Sequence, residues 1–163
     1  MRWDRLFADL EGAAIDEHAD ERDALADDLR EEQWSALGWS DLLGGPSVRL
    51  DVAGLGEIGG RVAGVGDVVL VEDVGRRLIV LPEAITAVSG SDGRAAAAPA
   101  MSRTRRQVAR AVRDAGVEVR VVRRDGRVVE GPIVAVGADF VQVAAGGRRV
   151  SLPWGWIAAL VQR

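Results

Sequence analysis

Short apolar runs separated by turn residues form the clearest pattern in the chain, and they are densest between Val117 and Arg163. Five such runs are divided there by segments that contain Gly, Asp or Pro. Asp125-Gly126 lies between two segments in which apolar and polar residues alternate, and this dipeptide favours a tight hairpin turn with positive φ at both positions. The pattern predicts five short strands that curl into a small barrel.

A second series of apolar runs lies earlier, from Val48 to Ser89. Val48, Leu50 and Val52 alternate with polar residues, as expected for a strand with one buried face. The remaining strands of this series are predicted at 58–65, 68–71, 77–81 and 85–88. The series therefore predicts another five-stranded barrel.

The two series also share an order of residues. Gly-Arg-Arg followed by Leu-Pro occurs twice, at 75–77 with 81–82 and at 147–149 with 152–153. The order agrees and the spacing differs by only one residue, which favours a tandem repeat over a chance likeness of Val- and Gly-rich runs. We expect the two copies to pair with each other through strands near Val150 and Leu160.

Helical spacing is clearest at the N-terminus and before the second barrel. Trp3, Leu6, Phe7 and Leu10 recur at this spacing, so the acidic N-terminal region is predicted to form a long amphipathic helix, either continuous or broken in the polar stretch 16–23.

Only a short turn, Asp41–Leu43, is predicted before the first barrel. A basic helix from Arg105 to Asp114 is predicted before the second one, with Ser102 or Thr104 as its N-cap and Gly116 at its end.

These elements predict a mainly β fold with helices, of the α+β class: two tandem five-stranded small barrels, each preceded by a helix, plus a long acidic N-terminal helix. The predicted domains are the helical arm, the first barrel, a Gly- and Ala-rich linker, and the basic helix with the second barrel, at 1–38, 39–89, 90–101 and 102–163.

Charge is distributed unevenly along the chain, although the formal net charge is only −4. Residues 1–45 hold 13 acidic residues and 4 arginines, a balance of −9, whereas residues 46–163 hold 12 acidic residues and 17 arginines, a balance of +5. Such asymmetry is typical of proteins that self-associate or bind polyanions.

The residues that enzymes and metal sites need are scarce. Cysteine is absent and His18 is the single histidine, which argues against thiol chemistry, a transition-metal site and a Ser-His-Asp triad. Residues 54–59 match G-x-G-x-x-G, but the Gly-rich stretch after them favours a hairpin over the helix that a dinucleotide site requires. We predict a non-enzyme without cofactor, metal or small-molecule substrate.

The expected location is the cytoplasm, without membrane contact. No apolar run has membrane-spanning length, and the first residues carry acids where a signal peptide has its apolar core.

The second barrel carries residues that resemble the first motif of Sm and Sm-like proteins. In that motif a Gly follows the first strand, a second Gly marks the bend of the next, and Asp-x-hydrophobic-Asn comes later. Gly126, Gly131 and 139–142 (Asp-Phe-Val-Gln) occupy these places here. The resemblance implies an SH3/Sm-like small barrel in tandem, in which Gly131 permits the bend because it lacks Cβ.

The same resemblance implies a site for RNA. Gln142 stands where the family usually has the Asn that contacts bases, whereas the first series has Leu70 at this place. The Arg-Gly element of the second Sm motif is absent before either last strand. An acidic helix followed by a small barrel also resembles uncharacterised actinobacterial proteins.

Two groups of residues are candidates for binding. Nine arginines fall within 103–127; they are expected to bind a nucleic acid or an acidic partner, to dock the acidic helix, or to form a solvated face. The candidate nucleic-acid or acidic-partner residues are Arg103, Arg105, Arg106, Arg110, Arg113, Arg120, Arg123, Arg124, Asp139 and Gln142. The candidate interface residues are Trp3, Leu6, Phe7, Leu10, Trp154 and Trp156.

These observations predict a non-enzymatic interaction or scaffold module that self-associates through barrel edges and the N-terminal helix. Its expected partner is a second copy of itself, in a dimer or higher oligomer, or another protein. The alternative is an Sm-like RNA-binding protein that uses the arginine-rich helix and the second barrel. The arginine-rich region lacks the aromatic residues on which single-strand binders stack bases.

Overall fold

The computed structural model describes residues 22–91 and 95–162. The chain divides into two compact units, Met1–Leu37 and Gly38–Arg163. In the first unit the described residues 22–35 form helix α1. The candidate interface residues Trp3, Leu6, Phe7 and Leu10 lie outside the described residues.

The prediction of a long N-terminal helix is wrong in the described part of the chain, where α1 is short and ends at residue 35. A new element starts soon afterwards: the main-chain N–H of Gly38 donates to the Asp41 carboxylate at 2.7 Å and begins a 3-10 turn. This carboxylate caps the 3-10 turn, because it satisfies an N–H that the first residues of the turn leave unpaired.

The described part of the second unit contains ten strands, one α-helix and three 3-10 turns. The strands are β1 Val48–Val52, β2 Gly56–Val65, β3 Val69–Asp73, β4 Arg76–Val80, β5 Ile85–Ser89, β6 Glu118–Arg123, β7 Val128–Val136, β8 Phe140–Ala145, β9 Arg148–Pro153 and β10 Ile157–Gln162. The helix is α2, Arg105–Asp114, and the 3-10 turns are Trp39–Leu43, Pro82–Ala84 and Trp154–Trp156.

The ten strands form one open antiparallel sheet in the order β5-β1-β2-β3-β4-β10-β6-β7-β8-β9. The predicted pair of five-stranded SH3/Sm-like small barrels in tandem is therefore wrong. The first five strands do not close on themselves, because β4 bonds to β10 instead. The strand order within the first five and within the last five is nevertheless the same, with the last strand beside the first.

The join between β4 and β10 is entirely apolar. Its register pairs Val80 with Ala159, Ile79 with Leu160, and Leu78 with Val161. Apolar side chains directly opposite each other stabilise a strand pair, so this ladder holds the two halves of the sheet together. The two copies were expected to pair through the strands near Val150 and Leu160. The Leu160 strand, β10, does join the two halves, whereas β9, which contains Val150, lies at an edge of the sheet.

One hydrophobic core extends under both halves of the sheet. Leu50 and Val80 from the first half and Val121 and Ile157 from the second are fully buried and belong to the same cluster. Burial of such side chains contributes about 1.5–3 kcal/mol each, so this shared cluster is the main stabilising term. It makes the second unit a single body rather than two separate barrels.

Helix α2 has the limits that the sequence predicts. Thr104 caps it: the Thr104 Oγ1 accepts the Gln107 N–H at 3.3 Å, and the Gln107 side chain accepts the Thr104 N–H at 2.9 Å. This reciprocal box satisfies two N–H groups that the first turn leaves unpaired. Val108 and Ala109 are buried and anchor the helix on the core.

The predicted hairpin at Asp125-Gly126 is confirmed, with a correction to its turn. Only Gly126 has a positive φ, of +82°. The Gly126 N–H donates to the Arg123 oxygen at 3.0 Å, and the Arg123 N–H donates to Arg127 at 2.8 Å. This is the geometry of a three-residue loop with a bulge rather than of a two-residue turn.

The Gly-rich stretch 54–59 forms the predicted hairpin rather than a helix, since Val52 on β1 is paired with Gly56 at the start of β2. None of the described helices has both the length and the apolar character needed to cross a membrane.

Candidate functional site

Arg105, one of the candidates for binding a nucleic acid or an acidic partner, instead binds carboxylates of its own chain. Its Nε and Nη2 donate to Asp67 Oδ1 at 3.0 and 2.8 Å, and its main-chain N–H donates to Oδ2 at 2.7 Å. Its Nη1 also donates to Glu83 at 2.5 Å. The guanidinium thus ties the start of α2 to the β2–β3 loop and to the turn before β5.

These contacts shift the titration of both groups. The hydrogen bonds from the Arg105 side chain and N–H hold the pKa of Asp67 below its ordinary value of 3.8. The bond to Asp67, followed by those to Glu83, raises the pKa of Arg105 against the effect of its burial. Bonds that stabilise the charged forms dominate over desolvation here.

Glu83 links a further arginine to this group, because Arg124 Nη2 lies 4.0 Å from Glu83 Oε1. We call Asp67, Arg105, Glu83 and Arg124 the ionic network. It joins four segments of the second unit that are distant in sequence. Arg105 is committed to carboxylates of the same chain and is a poor candidate for an external ligand, whereas the side chain of Arg124 makes only the 4.0 Å contact with Glu83 in the described part of the chain.

Other arginines of the candidate set are also paired. Arg113 donates to Asp114 at 2.7 Å, Arg120 lies 3.6 Å from Glu130, and Arg123 donates to Asp125 at 2.7 Å. These pairs are wholly or partly exposed, where one ion pair contributes less than about 1 kcal/mol. They reduce the positive potential but leave the guanidinium groups accessible.

Arg103, Arg106 and Arg110 form no ion pair with any residue between 22 and 162 that the structure describes. Arg106 and Arg110 line a cleft of about 460 Å³ at the start of α2, which Thr104 and Ala138 also line. The cleft therefore holds the part of the predicted arginine cluster that is free to bind an anion.

Asp139 and Gln142, placed together by the motif, have separate surroundings. The main-chain oxygen of Asp139 accepts the Trp154 N–H at 2.9 Å, and its side chain is exposed. The side-chain amide of Gln142 donates to Ser151 Oγ at 3.2 Å across β8 and β9. Ala138, the neighbour of Asp139, lines the cleft that Arg106 and Arg110 form, which we call the arginine cleft, but Gln142 does not.

The two candidate tryptophans lie in different environments. Trp154 is 7% exposed and fills the core, whereas Trp156 is 54% exposed. The Arg123 guanidinium lies 5.9 Å from the centre of the Trp156 ring, within the range of a cation–π contact. The sequence did not predict this contact, because Arg123 and Trp156 are far apart along the chain and no local pattern links them.

The sheet ends in two strands with one neighbour each, β5 and β9. Their outer main-chain N–H and C=O groups have no ladder partner in the described residues. An unpaired edge of this kind is a ready site for another strand. The described residues also contain no cluster of three or more potential metal ligands.

Comparison with known proteins gives no assignment: no family model matches the chain, and no curated protein matches its sequence. The resemblance to Sm-like proteins stays a prediction.

Proposed function

We propose that the protein is a non-enzymatic interaction module whose copies assemble head to tail, with β5 of one copy paired with β9 of the next. The observation that carries this proposal is the β4–β10 join. Within one chain, β4 pairs with β10 in the same antiparallel way in which β9 of one copy would pair with β5 of the next. The sequence predicted self-association through the edges of two barrels; in the proposed assembly the contact is made by the two edges of the single sheet, β5 and β9.

The free strand β9 is built like the paired strand β4. Each begins with two arginines after a two-residue turn, since Asp73 pairs with Arg76 and Ala145 pairs with Arg148 across that turn. Charged residues commonly protect an edge from pairing. In β4 they precede the segment that bonds to β10, so the arginines of β9 do not prevent such a join.

The register of the proposed contact follows from the internal one. Val88 on β5 lies opposite Leu50 on β1, as Leu160 on β10 lies opposite Val121 on β6. Val88 and Leu160 therefore hold equivalent places in the two halves.

Ser151 is the fourth residue of β9, as Ile79 is of β4. Because Leu160 pairs with Ile79, we expect Val88 of one copy to lie opposite Ser151 of the next. Since β5 and β9 are different surfaces, the contact is heterologous, and it generates a ring or an open filament.

Cysteine cross-linking tests the register directly, because the natural chain has no cysteine. In the double variant Val88→Cys/Ser151→Cys, mild oxidation is expected to give covalent dimers and higher multiples on a non-reducing gel. Residues opposite each other on antiparallel strands have Cα atoms about 4.5–5.5 Å apart, within the reach of a disulfide.

The matched control is Val88→Cys/Arg149→Cys, which shifts one cysteine by two residues along β9. We expect little cross-linking from it. Equal cross-linking by both variants would indicate random collision, and a monomeric mass in light scattering across concentrations would contradict the proposal.

The predicted contribution of the N-terminal helix stays part of the proposal. In α1, Leu25, Leu29 and Trp34 are at least half exposed, with 60%, 50% and 52% accessibility. Leu25 and Leu29 are four residues apart and therefore lie on one face of α1, as in helices that bury an apolar stripe against a partner, whereas Trp34 lies on the opposite face.

RNA binding is the second candidate, and the Trp156–Arg123 contact favours it. An exposed indole beside a guanidinium offers the stacking platform that the arginine-rich region lacks in sequence.

We expect Trp156→Ala to weaken binding of homopolymer RNA roughly 5- to 100-fold, the range for loss of one stacked base. Fluorescence anisotropy at two salt concentrations measures this effect. Trp39→Ala is the matched control, because Trp39 is 46% exposed, lies in the 3-10 turn before β1 and is not the tryptophan that Arg123 contacts. Equal affinity of both variants, or no binding by the natural chain, would remove this candidate.

A further inference from the structure

An apolar groove of about 500 Å³ lies between α2 and the middle of the sheet. Its walls come from α2, from the chain just before it, and from strands β3, β4 and β10. The residues that shape it are Leu70, Ile79, Met101, Val108, Val112 and Leu160. We call it the helix groove. It uses no residue of the free edges, so it is independent of the proposed assembly.

The helix groove has the properties of a small-molecule site. Leu70, Ile79, Met101 and Val112 are only partly buried, although they pack against the core. Ligand sites are typically concave, mostly apolar and about 300–1,000 Å³ in volume, with a few polar groups that fix orientation. The groove meets each of these conditions.

The charged side chains that line the groove give it a net positive charge. Arg77 and Arg103 line it and form no ion pair with a described residue. Glu72 also lines it, but its carboxylate is bound by Arg61. Two guanidinium groups therefore remain available beside apolar walls.

One end of the helix groove continues into a polar cleft. Glu72, Arg77 and Gln162 line both spaces, and Asp73 and Arg76 line the cleft alone. The Asp73 carboxylate accepts the Val74 N–H at 2.9 Å. The Glu72 carboxylate is balanced by Arg61, so the charges that remain around the cleft are Asp73, Arg76 and Arg77, and this mouth carries one net positive charge that favours an anion.

We infer that the helix groove binds an amphiphile with one aliphatic chain and a carboxylate head. The chain lies against Leu70, Ile79 and Val112, and the carboxylate meets Arg77 at the mouth. A guanidinium matches a carboxylate in charge and in planar geometry. A cationic head would meet repulsion there, and a purely polar ligand would leave the apolar walls uncovered.

Laurate and dodecanol are the probes that test this inference, because they share a chain and differ in the charge of the head. Isothermal titration calorimetry on the full chain is expected to show saturable binding of laurate at one site. Arg77→Gln should weaken laurate about fivefold, the scale of one partly exposed ion pair. Arg103→Gln should weaken it less, because Arg103 lines the groove but not the polar cleft at its mouth. Both should leave dodecanol nearly unchanged.

Two further variants locate the binding. Ala111→Phe places a ring in the groove from an exposed position of α2, and should reduce the affinity for both probes. Arg110→Gln also removes one positive charge, from α2, but Arg110 does not line the groove, so the affinity of this variant should match that of the natural chain.

Each contrary result is decisive once circular dichroism shows that the variants are folded. Failure of laurate to saturate up to its solubility limit overturns the inference. Equal weakening by Arg110→Gln shows that only net charge matters, and full affinity in Ala111→Phe places the ligand elsewhere. Equal loss of dodecanol in the Arg77 and Arg103 variants removes the role of the carboxylate.

Discussion

Replacing Gly131 by alanine is expected to destabilise the second unit by about 3 kcal/mol or more. Gly131 has φ of +150°, and a Cβ at this position would lie 1.9 Å from the main-chain oxygen of Ala144. Main chain cannot move aside without breaking the β7–β8 ladder, so overpacking adds to the backbone strain. Urea unfolding monitored by tryptophan fluorescence measures the loss.

Two control variants separate the causes of this loss. Gly146→Ala adds a Cβ at φ of +55° with no atom within 4 Å, so it should cost about 1–2 kcal/mol from strain alone. Gly155→Ala has neither a positive φ nor a close neighbour, and should be within about 0.5 kcal/mol of the natural chain. If Gly131→Ala cost no more than Gly146→Ala, β7 and β8 would not approach each other as described.

Local patterns predicted the strands well because alternation and turn residues act over a few positions. The Val48–Val52 alternation is β1 with strictly alternating burial. Gly131, singled out as the residue that permits a bend, lies where a Cβ would collide with β8. In both cases the residue pattern is determined by contacts within the strand or with the neighbouring strand.

The closure of the sheet could not be predicted in the same way. Leu78 and Val80 are buried whether β4 closes a barrel or joins β10, so the sequence pattern is identical in the two arrangements. The choice depends on which apolar strand reaches β4 after the chain has formed a helix and four further strands. No residue near β4 carries that information.

The candidate site was predicted in composition but not in arrangement. The sequence placed Arg105 and Arg106 side by side on one basic helix. In the structure Arg105 is bound by Asp67 and Glu83, while Arg106 is exposed at the arginine cleft. Both carboxylates are more than twenty residues from Arg105 along the chain. Such partners become visible only when the fold is known.

Replacing Asp67 by asparagine is expected to cost about 1–2 kcal/mol at neutral pH, and to cost little in acid. The Asp67 side chain is 39% exposed, so its bonds to Arg105 are at the lower end of the range for charged groups. Because folding lowers its pKa, its contribution is complete above 3.8 and is lost as the pH falls through the lower folded value. The raised pKa of Arg105 has no effect in this range, since that group stays charged.

Urea unfolding of the natural chain and of Asp67→Asn at neutral pH and below pH 3.8 measures this difference. The matched control is Asp114→Asn. Asp114 also accepts a hydrogen bond from an arginine, Arg113, but at an exposed position at the end of α2. We expect a change of about 0.5 kcal/mol or less from it. An Asp67→Asn effect that persisted unchanged in acid would mean that the carboxylate charge is not what holds α2 to the β2–β3 loop. If the difference in the free energy of unfolding between the natural chain and Asp67→Asn disappears as the pH falls, the Asp67 charge is what holds α2 to the β2–β3 loop.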